Sequence, residues 1–329
     1  MSKKLKIAYV GLRYDYAIQA NGDSYEYNNI EAGLKDCVQR SMFECEYFHP
    51  DIPTEISRLR THLNQFDAIL HVEFNDEYDL PEDISLEAIR LGKEVICWSS
   101  DASYRFHNWI LPRKHRYNKW ITTHNETLKW YKDNGMNNVV KSQWGGSPLY
   151  VKDDSYPKIY PISFIGQCHG HGTGGRMLRR QIMDSMYQHG VGPDIWGKFW
   201  DDPVPYEKWH GYAGGLDDMV RIMNSSKIGL NLLNGWSVNQ LGQIKGRCFE
   251  IPQVSLMQLT TPADDLEAYF EPDKEIVIVK TMQELLDKAK FYLENDSERT
   301  KIAEAGFNRM MSEHQWYHRF EKIFNECHN

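Results

Sequence analysis

The chain has 329 residues, 41% of them hydrophobic and 13% aromatic. That is enough apolar side chain for one large domain or two ordinary ones, and it excludes a disordered or low-complexity polypeptide. A formal charge of −8 excludes a surface that is basic throughout, so nucleic acid would need a local basic patch. No apolar run approaches the ~20 residues that span a bilayer, and MSKKLKIAYV enters a strand pattern directly instead of a signal-peptide core. A cytoplasmic protein without a membrane span is expected. The six cysteines include no CxxC pair, so neither a disulfide framework nor a zinc knuckle is indicated.

Hydrophobic patterning in the amino-terminal half predicts strands at 5–10, 44–48, 68–72, 94–98, 120–123 and 139–142, with helices at 29–40, 55–64, 86–91 and 126–134. Such alternation specifies a parallel sheet wrapped by helices. The first strand-to-helix loop, GLRYDYAIQANGDSYEY, lacks GxGxxG and is too long for a tight pyrophosphate turn. It lies at the carboxyl end of a strand, so Arg13 and Asp15, with Tyr16, are candidate ligand contacts; a solvated loop is the alternative.

The strand ending at Trp98 runs into SSDASYRF and places Asp101 just past a strand end. A carboxylate there can serve as general base toward a substrate hydroxyl, or it can cap the following helix or turn. From Asp101 to Glu126 there is no further acidic residue, while Arg105, Arg113, Lys114, Arg116 and Lys119 are interleaved with aromatic side chains at 104, 106, 109, 117 and 120. The local reversal of charge suits an anion-binding edge for phosphate, acidic glycan or nucleic acid, with Arg105, Arg113 and Arg116 as contacts. The competing reading is a basic loop paired with acidic neighbours.

Residues 145–161 combine turn residues with three prolines and lose periodicity, which marks a linker between a first domain at 1–147 and a second at 156–314. The second domain opens with a strand at 162–165 and the loop GQCHGHGTGGR, followed by a helix at 176–189. Glycines here, Gly166 first, let backbone amides approach an anion, and Arg176 and Arg180 are diphosphate candidates ahead of Arg179. His169 and His171 have no carboxylate or cysteine partner nearby, so no metal site is expected. After a strand at 228–232, Asn234 can meet sugar hydroxyls or a base edge, or can be an ordinary turn residue. Further helices are predicted at 216–225, 282–295 and 297–312, strands at 194–196 and 275–279, and a last helix over 315–327.

In KGRCFEIPQVSLMQLTTPADDL the pattern predicts a helix at 244–251, stopped by Pro252, then a buried strand at 253–259. Lys245, Arg247 and Glu250 fall at the carboxyl side of the strand at 228–232, where open α/β sheets bind ligands. They can hold a nucleotide, the cations on phosphates and Glu250 on a ribose diol, or they can form an Arg/Glu pair on a solvated face.

From Arg247 onward the chain resembles the end of a GT-B glycosyltransferase of the CgeB-like, spore-maturation type, close to the large group 1 transferases. RCFEIP, SLMQLT, DLEAYFEPDKEIVIV, TMQELLDKAKFYLEND and SERTKIAEAGFNRMMSEHQWYHRF carry the resemblance. Trp98, Asp101 and Arg105 fit the same group, as does the FIG strand end before an arginine-bearing helix. The resemblance implies an α/β GT-B fold, two Rossmann-like domains with parallel sheets facing a central cleft. It puts the donor on the carboxyl-terminal domain and the acceptor on the amino-terminal one, with the final helix, 315–329, packing back onto the first domain. It places Glu250 on the donor ribose. The implied reaction moves a sugar from a nucleoside diphosphate sugar, UDP-linked by expectation, to an acceptor hydroxyl, with no bound metal and no other cofactor. A transferase acting on hydroxymethylated bases in DNA and a catalytically silent nucleotide-sugar-binding protein remain the alternatives.

Overall fold

A computed structural model describes residues 4–168, 175–200, 206–233 and 243–325. The chain divides into two units, Met1–Leu149 with Gln315–Asn329, and Tyr150–His314.

In the first unit β1 (Lys6–Val10), β2 (Glu44–Phe48), β3 (Ala68–Val72), β4 (Glu94–Ser99), β5 (Lys119–Thr122) and β6 (Val139–Lys141) form one parallel sheet in the order β2-β1-β3-β4-β5-β6. Its helices are α1 (Ala32–Gln39), α2 (Glu55–His62), α3 (Glu82–Arg90), α4 (Ala102–Arg105) and α5 (Asn125–Asp133). Each lies between parallel strands, because a parallel connection must cross back over the sheet. All five residues of β3 are buried, as a strand covered on both faces requires. The order reverses between β1 and β3, so the carboxyl ends of these two strands form the topological switch point.

The second unit repeats the plan with β7 (Tyr160–Ile165), β8 (Asp194–Trp196), β9 (Ser226–Asn231), β10 (Met257–Thr260) and β11 (Val277–Ile278), all parallel in the order β11-β10-β9-β7-β8. Its helices are α6 (Gly175–Gln188), α7 (Leu216–Asn224), α8 (Arg247–Gln253), α9 (Met282–Glu294) and α10 (Asp296–Glu313), and its switch point lies between β7 and β9. Helix α9 starts where the Thr281 hydroxyl accepts the Glu284 amide at 3.1 Å and the Glu284 carboxylate accepts the Lys280 amide at 2.8 Å, a reciprocal cap.

The last helix, α11 (Trp316–Asn325), packs in the first unit. Trp316 meets Trp98 and Trp144 edge-on at 5.4 and 6.1 Å, the Lys119 ammonium donates to the Ile323 carbonyl at 3.0 Å, and the Arg319 guanidinium donates to the Trp144 carbonyl at 3.1 Å. At Gly33 a Cβ would come within 2.3 Å of the Trp316 side chain and at Gly145 within 2.8 Å of its backbone nitrogen, so the two glycines make room for this residue.

Two segments depart from the pattern-based expectation. Helix α8 runs through Pro252 to Gln253, and β10 begins only at Met257; Ser255, with φ +55°, turns the chain between them. The apolar run at 254–256 therefore fills a turn. It looks like strand because Val254 and Leu256 are buried against Tyr150 and Met223. The basic stretch is not an open loop: α4 passes into a wide helical turn at Phe106–Ile110 and a tight one at Leu111–Arg116. Phe106, Trp109 and Ile110, at helical spacing, bury themselves in the core of the first unit.

Candidate functional site

In the second unit the switch point is furnished with a cation. The Arg179 guanidinium, on α6, donates to the Gln167 carbonyl just past β7 and to the Leu232 carbonyl just past β9, the latter at 3.4 Å. Burial holds its pKa below the usual arginine value. Arg180 faces elsewhere, donating to the Trp200 carbonyl at 2.6 Å and lying 5.2 Å from the centre of the Tyr206 ring. Consecutive residues of a helix point about 100° apart, so only one of the two can reach the strand ends. Sequence spacing does not say which. Arg176 opens α6, while Asn234, His169 and His171 lie outside the described residues.

The Gly166 amide donates to the Trp196 carbonyl and its own carbonyl accepts from the Trp200 indole, both at 2.8 Å. A Cβ at Gly197 would come within 2.0 Å of that carbonyl oxygen. Gly166 therefore serves the close crossing of two strand exits, and its amide is not turned to a ligand.

Helix α8 carries the remaining candidates of this unit. Glu250 is 1% exposed, and its Oε2 lies 2.6 Å from Arg247 Nη1. The other face of the Arg247 guanidinium rests 3.8–3.9 Å from the Met219 sulfur. Lys245 donates to Gln243 at 3.1 Å.

In the first unit, Arg13 pairs with Asp23 and lies 3.7 Å from the Tyr27 ring centre, while its amide and that of Tyr14 donate to the Asp51 carboxylate at 3.0 and 2.9 Å. This fixes the loop after β1. Tyr16 and Ala17 are both left-handed, with φ +52° and +59°, and Tyr16 stands exposed against Phe74 at 6.1 Å. Two bulkier-than-glycine residues in that region in succession mark a conformation imposed by its surroundings.

Asp101 precedes α4, its carbonyl accepting from the Tyr104 and Arg105 amides at 3.0 and 3.2 Å, and its side chain does not cap the helix. Asp15 and Asp101 both act on Glu26, whose carboxyl is held above the usual range first by burial and then by these two neighbours. The carboxyl ends of β1 and β4 are thus acidic.

The cations that the sequence offers to an anionic acceptor are engaged within the unit. Arg113 binds Asp79 at 3.0 Å and Asp76 at 2.6 Å, and Arg116, itself buried, binds Asp79 at 3.0 Å and the Leu80 carbonyl. Arg105 donates to the Phe74 carbonyl and packs on Trp109 at 4.8 Å. Lys114 is exposed. Among the interleaved aromatics Tyr104 alone is open, 64% exposed; Phe106, Trp109, Tyr117 and Trp120 are core residues. The partners at 76–82 precede the basic stretch by about 34 residues, too far for local reading to find them.

Two buried groups on and just past β3 were not legible in the sequence. His71 is fully buried, its Nδ1 2.9 Å from the Tyr117 hydroxyl and its Nε2 3.6 Å from Asp79, and burial pushes its pKa down to about 4. Glu73 is 6% exposed; its Oε1 accepts from the Ser99 hydroxyl at 2.6 Å, and burial pushes its pKa up to about 7. A polar residue inside an apolar strand run was the only signal.

Residues 176–325 match the family described as Glycosyl transferase-like. Solved GT-B structures match the chain along both parallel-sheet units. The chain has the GT-B fold, and its residues 176–325 are similar to that glycosyltransferase-like family. An alpha-glucosyltransferase in complex with UDP and a 13-mer DNA containing an HMU base matches with a TM-score of 0.65 at 10% identity, over 98% of this chain and 99% of that one. HepE from Anabaena, in complex with UDP and glucose, matches at 0.60 and 9%, and sucrose-phosphate synthase from Thermosynechococcus elongatus at 0.59 and 8%, each over the same shares. At such identities the GT-B likeness shows fold alone. No curated protein matches the sequence. Among the described residues no helix of this GT-B chain is long and apolar enough to cross a membrane, and no group of three or more His, Cys, Asp and Glu side chains is arranged to hold a metal ion.

Proposed function

We propose that the protein transfers a sugar from a nucleoside diphosphate sugar, UDP-linked, to the hydroxyl of an uncharged, carbohydrate-type acceptor, without a bound metal. The observation that carries this is Arg179, a half-buried guanidinium spanning the ends of β7 and β9 at the switch point of the glycosyltransferase-like unit. A diphosphate leaving group gathers charge as the glycosidic bond breaks, and a preplaced, partly desolvated cation stabilises it. Arg176, Lys245 and Arg247 join it in this reading, and Glu250 takes the ribose diol once Arg247 turns to phosphate. Within the group 1 type, RCFEIP and the segments after it argue for the CgeB-like subgroup.

Acceptor binding belongs to the first unit, at Asp15, Asp101 and the exposed Tyr16 and Tyr104. Carboxylates accept hydrogen bonds from sugar hydroxyls and repel phosphates, and aromatic faces stack on sugar rings. Asp101 acts as general base. A DNA acceptor is the second reading, supported by the likeness to the glucosyltransferase bound to DNA; the pairing of Arg113 and Arg116 with Asp76 and Asp79 argues against it.

The test is UDP binding by calorimetry and UDP release from a panel of nucleotide sugars, in excess chelator, with and without sugar or DNA acceptors. The expected result is UDP affinity and turnover in chelator, with UDP affinity greatly weakened in Arg179→Ala. Binding without turnover would make the protein a silent binder; no binding of any nucleoside diphosphate would overturn the reading. A DNA acceptor would show a log–log salt slope of about −0.7 to −0.9 per phosphate contacted.

A further inference from the structure

Glu73 follows β3, at the switch point of the first sheet, and its amide donates to the Trp98 carbonyl at 3.2 Å, extending the β3–β4 ladder. Its carboxyl is more than nine-tenths buried. Oε1 is held by the Ser99 hydroxyl at 2.6 Å, while Oε2 is buried and has no hydrogen-bond partner among the described residues. A carboxyl that only braced a core would be expected to use both oxygens, because leaving a buried polar atom unsatisfied is costly. Arg105, the cation that acts on it, donates instead to the Phe74 carbonyl and stacks on Trp109.

The groups acting on Glu73 come from every side. Arg105 of α4 and Ser99 of β4 favour its charged form, and Asp101 before α4 and Asp79 beyond β3 oppose it. Cys97 of β4 and Tyr131 of α5 are raised in turn by Glu73. Burial outweighs all of these, so the carboxyl changes charge close to neutral pH.

We propose that Glu73 is a positioning residue for the transfer reaction, which acts through Asp101: it anchors the Ser99–Asp101 turn, and in its ionised form its charge strengthens Asp101 as a base. The proposal rests on the function argued above. In that step Asp101 takes the acceptor proton as the new sugar–oxygen bond forms, and the sugar–phosphate bond breaks with its electron pair leaving on the diphosphate. Oε2 is out of solvent's reach, so Glu73 does not itself touch the acceptor.

Glu73→Gln keeps an oxygen for Ser99 and removes the titration. The measurement is UDP release from UDP-glucose, or from whichever nucleotide sugar of the panel turns over fastest, between pH 5.5 and 9, with UDP affinity in parallel. The parent rate should rise as pH passes through about 7. In Glu73→Gln that rise should be absent, leaving the rate above pH 8 lower by at least about threefold, the effect of a one-unit change in base strength at an intermediate Brønsted coefficient. The rate below pH 6 and the UDP affinity should equal the parent's. Ser99→Ala, which removes a bond favouring the charged form, should move the rise to higher pH. A Glu73→Gln profile of unchanged shape, whether at parent level or lowered uniformly, overturns this inference alone. A parent that binds and releases no UDP overturns the proposed function and this inference with it.

Discussion

The two sheets share a topology and differ at their carboxyl ends. At the switch point of the second unit stands a half-buried arginine bound to two strand-end carbonyls; at that of the first stands a buried carboxyl held by Ser99, with Arg113 and Arg116 drawn onto Asp76 and Asp79. Under the proposed function the same geometry serves a diphosphate in one unit and hydroxyl groups in the other. The lesson is that the parallel sheet supplies the place and the few polar residues past its strands supply the chemistry.

The comparison breaks first if the two units are not built as separate cores. Trp316→Ala removes a fully buried indole that joins α11 to Trp98 and Trp144 and should destabilise the first unit by about 3–5 kcal/mol. Denaturant unfolding should then show two transitions, with the second unit's unmoved; a single transition shifted as a whole would mean the cores are not independent.

The acidic switch point also has a pH signature. The Glu73 pKa is raised from 4.5 to about 7, so its contribution is present below 4.5 and is lost as pH rises to about 7. His71 is lowered from 6.5 to about 4, so its contribution is present above 6.5 and is lost as pH falls to about 4. Each spans on the order of 3 kcal/mol, in opposite directions over an overlapping window. Glu73→Gln should therefore gain stability over the parent as pH rises from 4.5 to 7. His71→Gln should lose less than the parent as pH falls from 6.5 to 4. Thermal unfolding across pH 4–8 checks both, and parallel curves for parent and variants would count against the buried pair.

On the donor side, Glu250→Ala should weaken UDP binding by ~1.5–3 kcal/mol with the fold intact, as for a lost hydrogen bond to a charged group. Unchanged affinity by calorimetry would leave Glu250 as nothing more than the partner of Arg247. The smallest effect is expected at Lys114, the exposed cation of the basic stretch: Lys114→Ser should change stability and turnover by less than ~0.5 kcal/mol. A large loss on a nucleic-acid acceptor would reopen the reading of that stretch as a binding surface.

The sequence by itself determined the alternation of strands and helices, because parallel strands buried on both faces must be continuous apolar runs and their crossovers must be amphipathic. Glu44–Phe48, Ala68–Val72 and Asp194–Trp196 lie where the pattern puts them. It also carried the group 1 likeness of the carboxyl-terminal half, since that likeness is written in consecutive motifs. Only the tertiary structure decided which of Arg179 and Arg180 faces the switch point, because that depends on the rotation of α6 against β7 and β9. It alone showed that Arg113 and Arg116 are neutralised by Asp76 and Asp79 and that Phe106, Trp109, Tyr117 and Trp120 are core residues. And it alone made His71 and Glu73 titrate far from their ordinary values. Such shifts come from loss of water around a side chain, and burial depends on neighbours distant in the chain.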